Sequence, residues 1–325
     1  MTPDVTATPH GRTDHAARFV VRAAMMAPSV CDTQPWSFAS SRDVISVYAD
    51  SAHALSHTDP AGRELVISGG AALFNLRLAM RHLGFTSQAR LLPDPRRLHH
   101  LGDVRWGGYS RPTAYEELLY RAMPRRRTHY GRFSVEPVAA PLINELSRLA
   151  DDERATLHVV GGAERIRALA ELVLMAELTR RGELGIAAER TSSTAPPAPG
   201  GTPPASGDAV AAPNGDQTTS WPDFRSAHRV DDHGVGVVAV LATPDDRPPD
   251  WLLAGRVLQR LLLHAAAHDV SAAFHTQPLE LPEYRRHIQT EFTGGAYPQL
   301  LLRLGHAGRD PKTPRRLGAD ALRED

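Results

Sequence analysis

The sequence predicts an α+β protein. Segments with helical and strand periodicity alternate in mixed order along the 325 residues, and the helical ones are the longer. No strand-to-helix turn carries a glycine-rich nucleotide loop. Residues 234–236 read only G-V-G, with no third glycine and no helix start, so nothing supports a doubly wound dinucleotide fold. No short repeat is visible. With 42% apolar residues the chain can bury a large core, and its length corresponds to about two domains or half-units.

Taken in order, residues 14–27 have helical periodicity. An aromatic strand start follows at Trp36, and 43–48 alternates as a strand. Residues 62–83 form a long helix. Its apolar positions Leu65, Ala72, Leu73, Leu76, Met80 and Leu83 make a wide arc, so most of it is expected to be buried. Strands follow at 86–92 and 100–106, helices at 113–123 and 141–149, a strand at 156–160 and a helix at 163–181. Residues 191–219 are rich in Pro, Gly, Ser, Thr and Ala and hold no aromatic residue. They cannot bury enough apolar area to offset their ordering entropy, and are read as a disordered surface loop. Beyond them come a strand at 235–242, a helix at 250–268, a short helix at 281–288 and a strand at 299–304.

Charge narrows the function. The 37 basic residues balance 37 acidic ones, and all but Lys312 of the basic set are arginine. Zero net charge excludes the bulk footprint of a nucleic-acid binder and gives no polybasic membrane anchor. Residues 1–19 have no apolar signal core, and no run reaches the ~18 apolar residues of a membrane helix. A cytoplasmic location is expected. The single Cys31 makes no intramolecular disulfide and has no placed base to make it a nucleophile. His264 and His268 have a metal-compatible i, i+4 spacing. Without an H-E-x-x-H, and on an apolar helix, they read as helix-end histidines, and no metal is expected. There is no Walker A loop, no G-x-S-x-G elbow and no triad, so no side chain is assigned a catalytic role.

Four separated segments carry chemistry. The first is A-P-S-V-C-D-T-Q-P-W at 27–36. The second is R-R-R-T-H-Y-G-R-F at 125–133. The third is H-T-Q-P-L-E at 275–280, and the fourth P-K-T-P-R-R at 311–316. If the two Arg-dense segments converge, their guanidinium forks suit a dianion such as a phosphate. Pro28 and Ser29 at a helix end, with Asp32, Thr33, Gln34 and an aromatic, offer hydrogen bonds beside a flat apolar surface, as a polar-edged planar ring requires. Spacing alone is equally compatible with solvated arginines and a packed Pro-Trp pair.

The first segment resembles the A-P-S-x-x-N-x-Q-P-W signature of the FMN-dependent nitroreductase superfamily. More closely, the chain is similar to the Acg family within it. The similarity continues through D-P-A-G-R-E-L-V-I-S-G-G-A-A-L at 59–73, R-R-T-H-Y-G-R-F at 126–133, T-Q-P-L-E-L-P-E at 276–283, P-x-L-L-L-R-L-G at 298–305 and T-P-R-R-L at 313–317. Each is short, but their order over most of the chain is specific to the family.

The resemblance implies a nitroreductase-like fold in which two fused half-units, 1–115 and 116–325, form a pseudo-dimer around one flavin site. Pro28, Ser29, Asp32 and Gln34 of the first half would lie at the flavin ring. Arg126, Arg127 and Thr128 of the second would hold the phosphate and ribityl chain. Arg315 and Arg316 would close the phosphate site, and Gln277, Pro278, Leu279 and Glu280 would lie along the flavin edge. FMN is then the cofactor and NAD(P)H a possible electron donor. The expected activity is hydride or electron transfer to a nitroaromatic, quinone or similar small acceptor, with the flavin carrying the chemistry. FMN storage or sequestration without turnover, and an oxidase using O₂, are the alternatives. Fusion of the halves implies a monomer or a weak homodimer. The sequence departs from the family at Asp32, where Asn is usual, at Tyr130, where Arg is common, and in the 191–219 loop, which replaces part of a region that can lie over the flavin.

Overall fold

The computed structural model describes residues 10–50, 55, 57–94, 99–129, 133–181, 236–307 and 322–324. The first part holds α1 (His10–Ala24), β1 (Trp36–Ser41), β2 (Val44–Ala49), α2 (Arg63–His82), β3 (Phe85–Leu91) and β4 (His100–Tyr109). Next come α3 (Ala114–Ala122), α4 (Ala140–Asp151), β5 (Thr156–Val159) and α5 (Ala163–Arg181). The last part holds β6 (Val237–Thr243), α6 (Pro248–Ala267), β7 (Ser271–Phe274), α7 (Pro282–Phe292), β8 (Tyr297–Gly305) and β9 (Leu322–Glu324). The α+β class stands. The expected loop at 191–219 lies outside the described residues.

Two sheets organise the chain. The first has the order β3-β4-β2-β1-β9, the second β5-β6-β8-β7. Leaving β9 aside, the second repeats the first: in each, the third, fourth, second and first strands of the half lie side by side, and every neighbouring pair is antiparallel. Each half also places a helix before its first strand (α1, α4) and a 20-residue helix between its second and third (α2, α6). The C-terminal β9 crosses to the first sheet and pairs in parallel with β1, covering that edge.

The sheets differ in burial for reasons visible in the sequence. In the first, Ile45 and Val47 of β2 face the core. Ser46 and Tyr48 alternate to the other face, where Ser46 donates to Asp103 at 2.6 Å and the Tyr48 ring stacks on His100. In the second, β6 reads V-V-A-V-L-A-T and is covered on both faces. Ala239 and Leu241 pack toward α4 and α6, while Val238 and Val240 pack toward α5 and α7.

Helices α2 and α6 join the halves. Leu252 and Leu263 of α6 belong to the first half's apolar cluster, and Ile67 of α2 belongs to the second's. At the crossing Gln259 donates to Asn75 at 2.7 Å, and Asn75 donates to the carbonyl of Ala23 at 3.0 Å. At the start of α2, buried Arg63 donates to the carbonyl of Gln299 in the second sheet at 2.6 Å. Its helix is entered through Gly62, held in the left-handed region at φ 69°.

Candidate functional site

The site is built from the turn after α1 upward. α1 ends ahead of Pro28, because the residue before a proline avoids the helical region. A 3-10 turn, Val30–Asp32, follows. The Ser29 hydroxyl accepts from the Gln34 N–H at 3.0 Å, and the Val30 N–H donates to the Ser68 hydroxyl of α2 at 3.2 Å. Ser68 in turn donates to the Glu64 carbonyl at 2.7 Å. Trp36 closes the turn by donating its indole N–H to the Met25 sulfur at 3.1 Å.

Asp32 (φ 53°) and Gln34 (φ 47°) both sit in the left-handed region. Asp adopts it readily, whereas for Gln it costs about 1–3 kcal/mol. Two side-chain hydrogen bonds to the turn, worth about 0.5–1.5 kcal/mol each, offset that strain. Gln34 is only 2% exposed, and its Oε1 is a buried acceptor with no hydrogen-bond donor among the described residues. Such a conformation, held by its surroundings and ending in an orphaned acceptor, is typical of a binding turn.

The second segment docks on the strand that leads into the third. Arg125 and Arg126 leave α3 by donating their N–H groups to the Ala122 carbonyl at 2.9 Å. Thr128 then bridges to Ala272 of β7 in parallel, and the His129 N–H donates to the Ala272 carbonyl at 2.8 Å. β7 runs through His275 and Thr276 straight into the 3-10 turn Gln277–Glu280. Arg126, Arg127, Thr128, Gln277, Pro278, Leu279 and Glu280 are thereby gathered along one strand and its exit. The Arg126 guanidinium is nearly buried (4% exposed), which is incompatible with a merely solvated arginine run. The first segment shares a core with this group. Met25 and Ala27, just before Pro28, lie in the same buried cluster as Met123, three residues before Arg126.

Arg315 and Arg316, with neighbouring Lys312, lie outside the described residues, as do Tyr130 and Arg132. Two contributors lie outside the four segments: Ser68 fastens the first turn, and Arg303 donates to His275 at the head of the third. Arg303 had a signal: it is the single charge in the apolar strand L-L-L-R-L.

Burial pushes the His275 imidazole well below its usual value of 6.5, and the Arg303 charge adds to this. His264 is lowered by burial although Glu145 lies 3.3 Å away, and its ring is 4.9 Å from that of His268. Among the described residues no group of three His, Cys, Asp or Glu is placed to hold a metal ion. Among them, too, no helix is long and apolar enough to cross a membrane.

Two like half-sheets joined by a helix pair, with a strained polar turn after α1 and a buried arginine after α3, define an α+β protein. Known proteins identify its family. The chain is 30% identical over 309 residues, 92% of its length and 88% of the relative's, to the Mycobacterium tuberculosis protein named "Putative NAD(P)H nitroreductase Rv3131". It is 27% identical over 320 residues, 94% of each chain, to the one named "Putative NAD(P)H nitroreductase acg" from the same organism. The chain belongs to this nitroreductase family. No family model matches it. Among solved structures, the FMN-dependent nitroreductase NfnB of Mycobacterium smegmatis in complex with NADPH aligns at 19% identity, with 64% of this chain, 97% of that one and a TM-score of 0.41. A nitroreductase with bound FMN from Desulfitobacterium hafniense aligns at 14% identity, with 62% of this chain, 95% of that one and a TM-score of 0.39.

Proposed function

We propose that the protein is an FMN-dependent NAD(P)H oxidoreductase that passes electrons to a nitroaromatic, quinone or similar small acceptor. The observation that carries this reading is the docking of Thr128 and His129 on β7, the strand that leads into the Gln277–Glu280 turn. The donor set fits the cofactor. The nearly buried Arg126, two residues before Thr128, is suited to a phosphate, with Thr128 at the ribityl chain and Arg127, Arg315 and Arg316 completing the charge. Gln34 Oε1 has no donor among the described residues, and a flavin ring offers one in its N3–H. Pro28, Ser29 and Asp32 would frame the ring from the same turn.

When bound, FMN supplies the hydride-accepting and electron-donating chemistry, so the chain need supply no dedicated acid or base. Its residues bind and orient. Ser29 and Ser68 hold the turn that faces the ring, and Gln277–Glu280 would lie along the ring edge. An ionised Asp32 can only accept hydrogen bonds, so in this reading it serves a donor rather than a flavin carbonyl.

The repeat of strand order supports two half-units, 1–115 and 116–325, sharing one site. α1 and β1 are separated by the long turn at 25–35, whereas the matching α4 and β5 are joined by the tight turn at 152–155. The second half has no room there for a counterpart of the ring-facing turn. One FMN per chain, in a monomer or a weak homodimer, is therefore expected. Anaerobic mixing of the purified yellow protein with NADH and with NADPH tests the function. Bleaching of the flavin band on a catalytic timescale, followed by turnover of a quinone or nitro compound, supports it. A flavin that neither donor reduces would make the protein a flavin store instead, and absence of any flavin would refute the reading altogether.

A further inference from the structure

Arg303 occupies an unusual position. It lies on β8, a central strand of the second sheet, and is 0% exposed. Burying a guanidinium is expensive, so its contacts must repay the cost. It has two on the site side. Its Nε–H donates to Nε2 of His275 at 2.9 Å, and its guanidinium lies 5.4 Å from the centre of the Phe133 ring. His275 is 1% exposed and stands directly before Thr276 and the Gln277–Glu280 turn. Phe133 continues the arginine segment, and its ring lies 4.7 Å from that of His129. One buried side chain thus touches the leading residue of the ring-edge turn and the trailing residue of the phosphate-side segment.

We propose that Arg303 is a positioning residue that clasps these two cofactor-binding segments together, and that it fixes His275 as the neutral Nδ1–H tautomer. The inference rests on the FMN-binding reading above. An imidazole nitrogen that accepts from a guanidinium carries no proton, so the single ring proton must sit on Nδ1. Burial and the neighbouring positive charge both favour the neutral ring. The backbone holds the same residue in register, since the His275 N–H donates to the Leu301 carbonyl at 2.9 Å and Ala273 pairs with Arg303 across the strands. Loosening the clasp would let the turn shift against residues 126–129, and small displacements of an oriented cofactor are costly to hydride transfer.

Two measurements test this. ¹⁵N-edited NMR of the wild-type protein reads the tautomer directly, and His275 is expected with a pyridine-type Nε2 and a protonated Nδ1. A protonated Nε2 would overturn the contact whatever the flavin does. Second, Arg303→Met and Arg303→Lys are compared with Leu300→Val, which trims the opposite face of the same strand, where Leu300 pairs with Leu241 away from the clasp. Arg303→Met is expected to alter the shape of the bound-flavin absorption band and to slow flavin reduction at saturating NAD(P)H about tenfold or more. Arg303→Lys, keeping charge but losing the planar fork, should recover only part. Leu300→Val should leave both readouts near wild type. Folded Arg303→Met with an unchanged band and an unchanged reduction rate would overturn the proposal. If Arg303→Met does not fold, the tautomer and the Arg303→Lys rate decide. A wild-type protein that binds no FMN would defeat the cofactor reading itself, which the NMR result distinguishes.

Discussion

Gly70 and Gly255 face each other where α2 crosses α6, and each is the eighth residue of its 20-residue helix. A Cβ on Gly70 would run into the Leu252 carbonyl oxygen and come within 3.1 Å of the Gly255 Cα. One on Gly255 would run into the Ile67 carbonyl oxygen and come within 2.7 Å of its carbon. The two helices therefore meet backbone to backbone at these two glycines. Because the obstructing atoms are main chain, they cannot rotate away.

This makes Gly255→Ala a strong prediction. Alanine is the better helix former by about 1 kcal/mol, so an exposed position would gain. Here the helices must separate, and overpacking of this kind costs about 3 kcal/mol or more. A large fall in the urea midpoint is expected. An unchanged midpoint would mean that the helices lie farther apart than described.

Asn75 bridges α1 and α6 from the middle of α2. Replacing it with Leu leaves the Gln259 amide buried and unsatisfied, at about 1–3 kcal/mol, while the Ala23 carbonyl keeps the Met26 N–H as a donor. Adding Gln259→Leu removes that orphan. The double variant should therefore be more stable than Asn75→Leu alone, a non-additivity measurable in a double-mutant cycle.

For the cofactor, Arg126→Ala should weaken FMN binding by about 1.5–3 kcal/mol, the range for a charge-assisted hydrogen bond. Fluorescence titration of the apoprotein reads this directly. Full retention of FMN in Arg126→Ala would put the phosphate elsewhere.

Stability should fall as pH drops below about 6.5. Burial holds His275 neutral in the folded state, while the same imidazole gains a proton in the unfolded chain near its ordinary value. The unfolded state then binds more protons, so the stability fully present above about pH 6.5 is lost on acidification, by up to about 1.4 kcal/mol per pH unit for one group. His158 and His264, lowered chiefly by burial, act with the same sign. Urea unfolding at pH 7, 6 and 5 should show the decline, and His275→Gln should show less of it. Equal slopes in the two proteins would refute the assignment.

Much of the fold was legible because the elements that bury one wide face leave a periodic trace. The helices at 63–82 and 248–267 were read to within a few residues, as were the strands at 85–91, 156–159 and 237–243. The four-residue β7 and the three-residue β9 were not read, being too short for any alternation to register. The helix expected at 281–288 runs on to Phe292, because Phe292 and Ile288 anchor its last turns beneath the second sheet.

The chain's order of motifs determined the family and the residue types of the site: a Pro-Ser turn, an arginine run and a Gln-Pro-Leu-Glu segment, each local in sequence. Their juxtaposition was decided only in three dimensions. Thr128 meets Ala272 across more than a hundred residues, Ser68 reaches back to Val30, and Arg303 holds His275. None of these pairs has a spacing that periodicity can register. They follow from the packing of α2 on α6 and from the pairing of β7 with β8, which are settled by long-range burial rather than by local preference. The zero net charge excluded a polyanionic partner, but only burial set Arg126, with Arg63 and Arg303, apart from the solvated arginines of an arginine-rich chain.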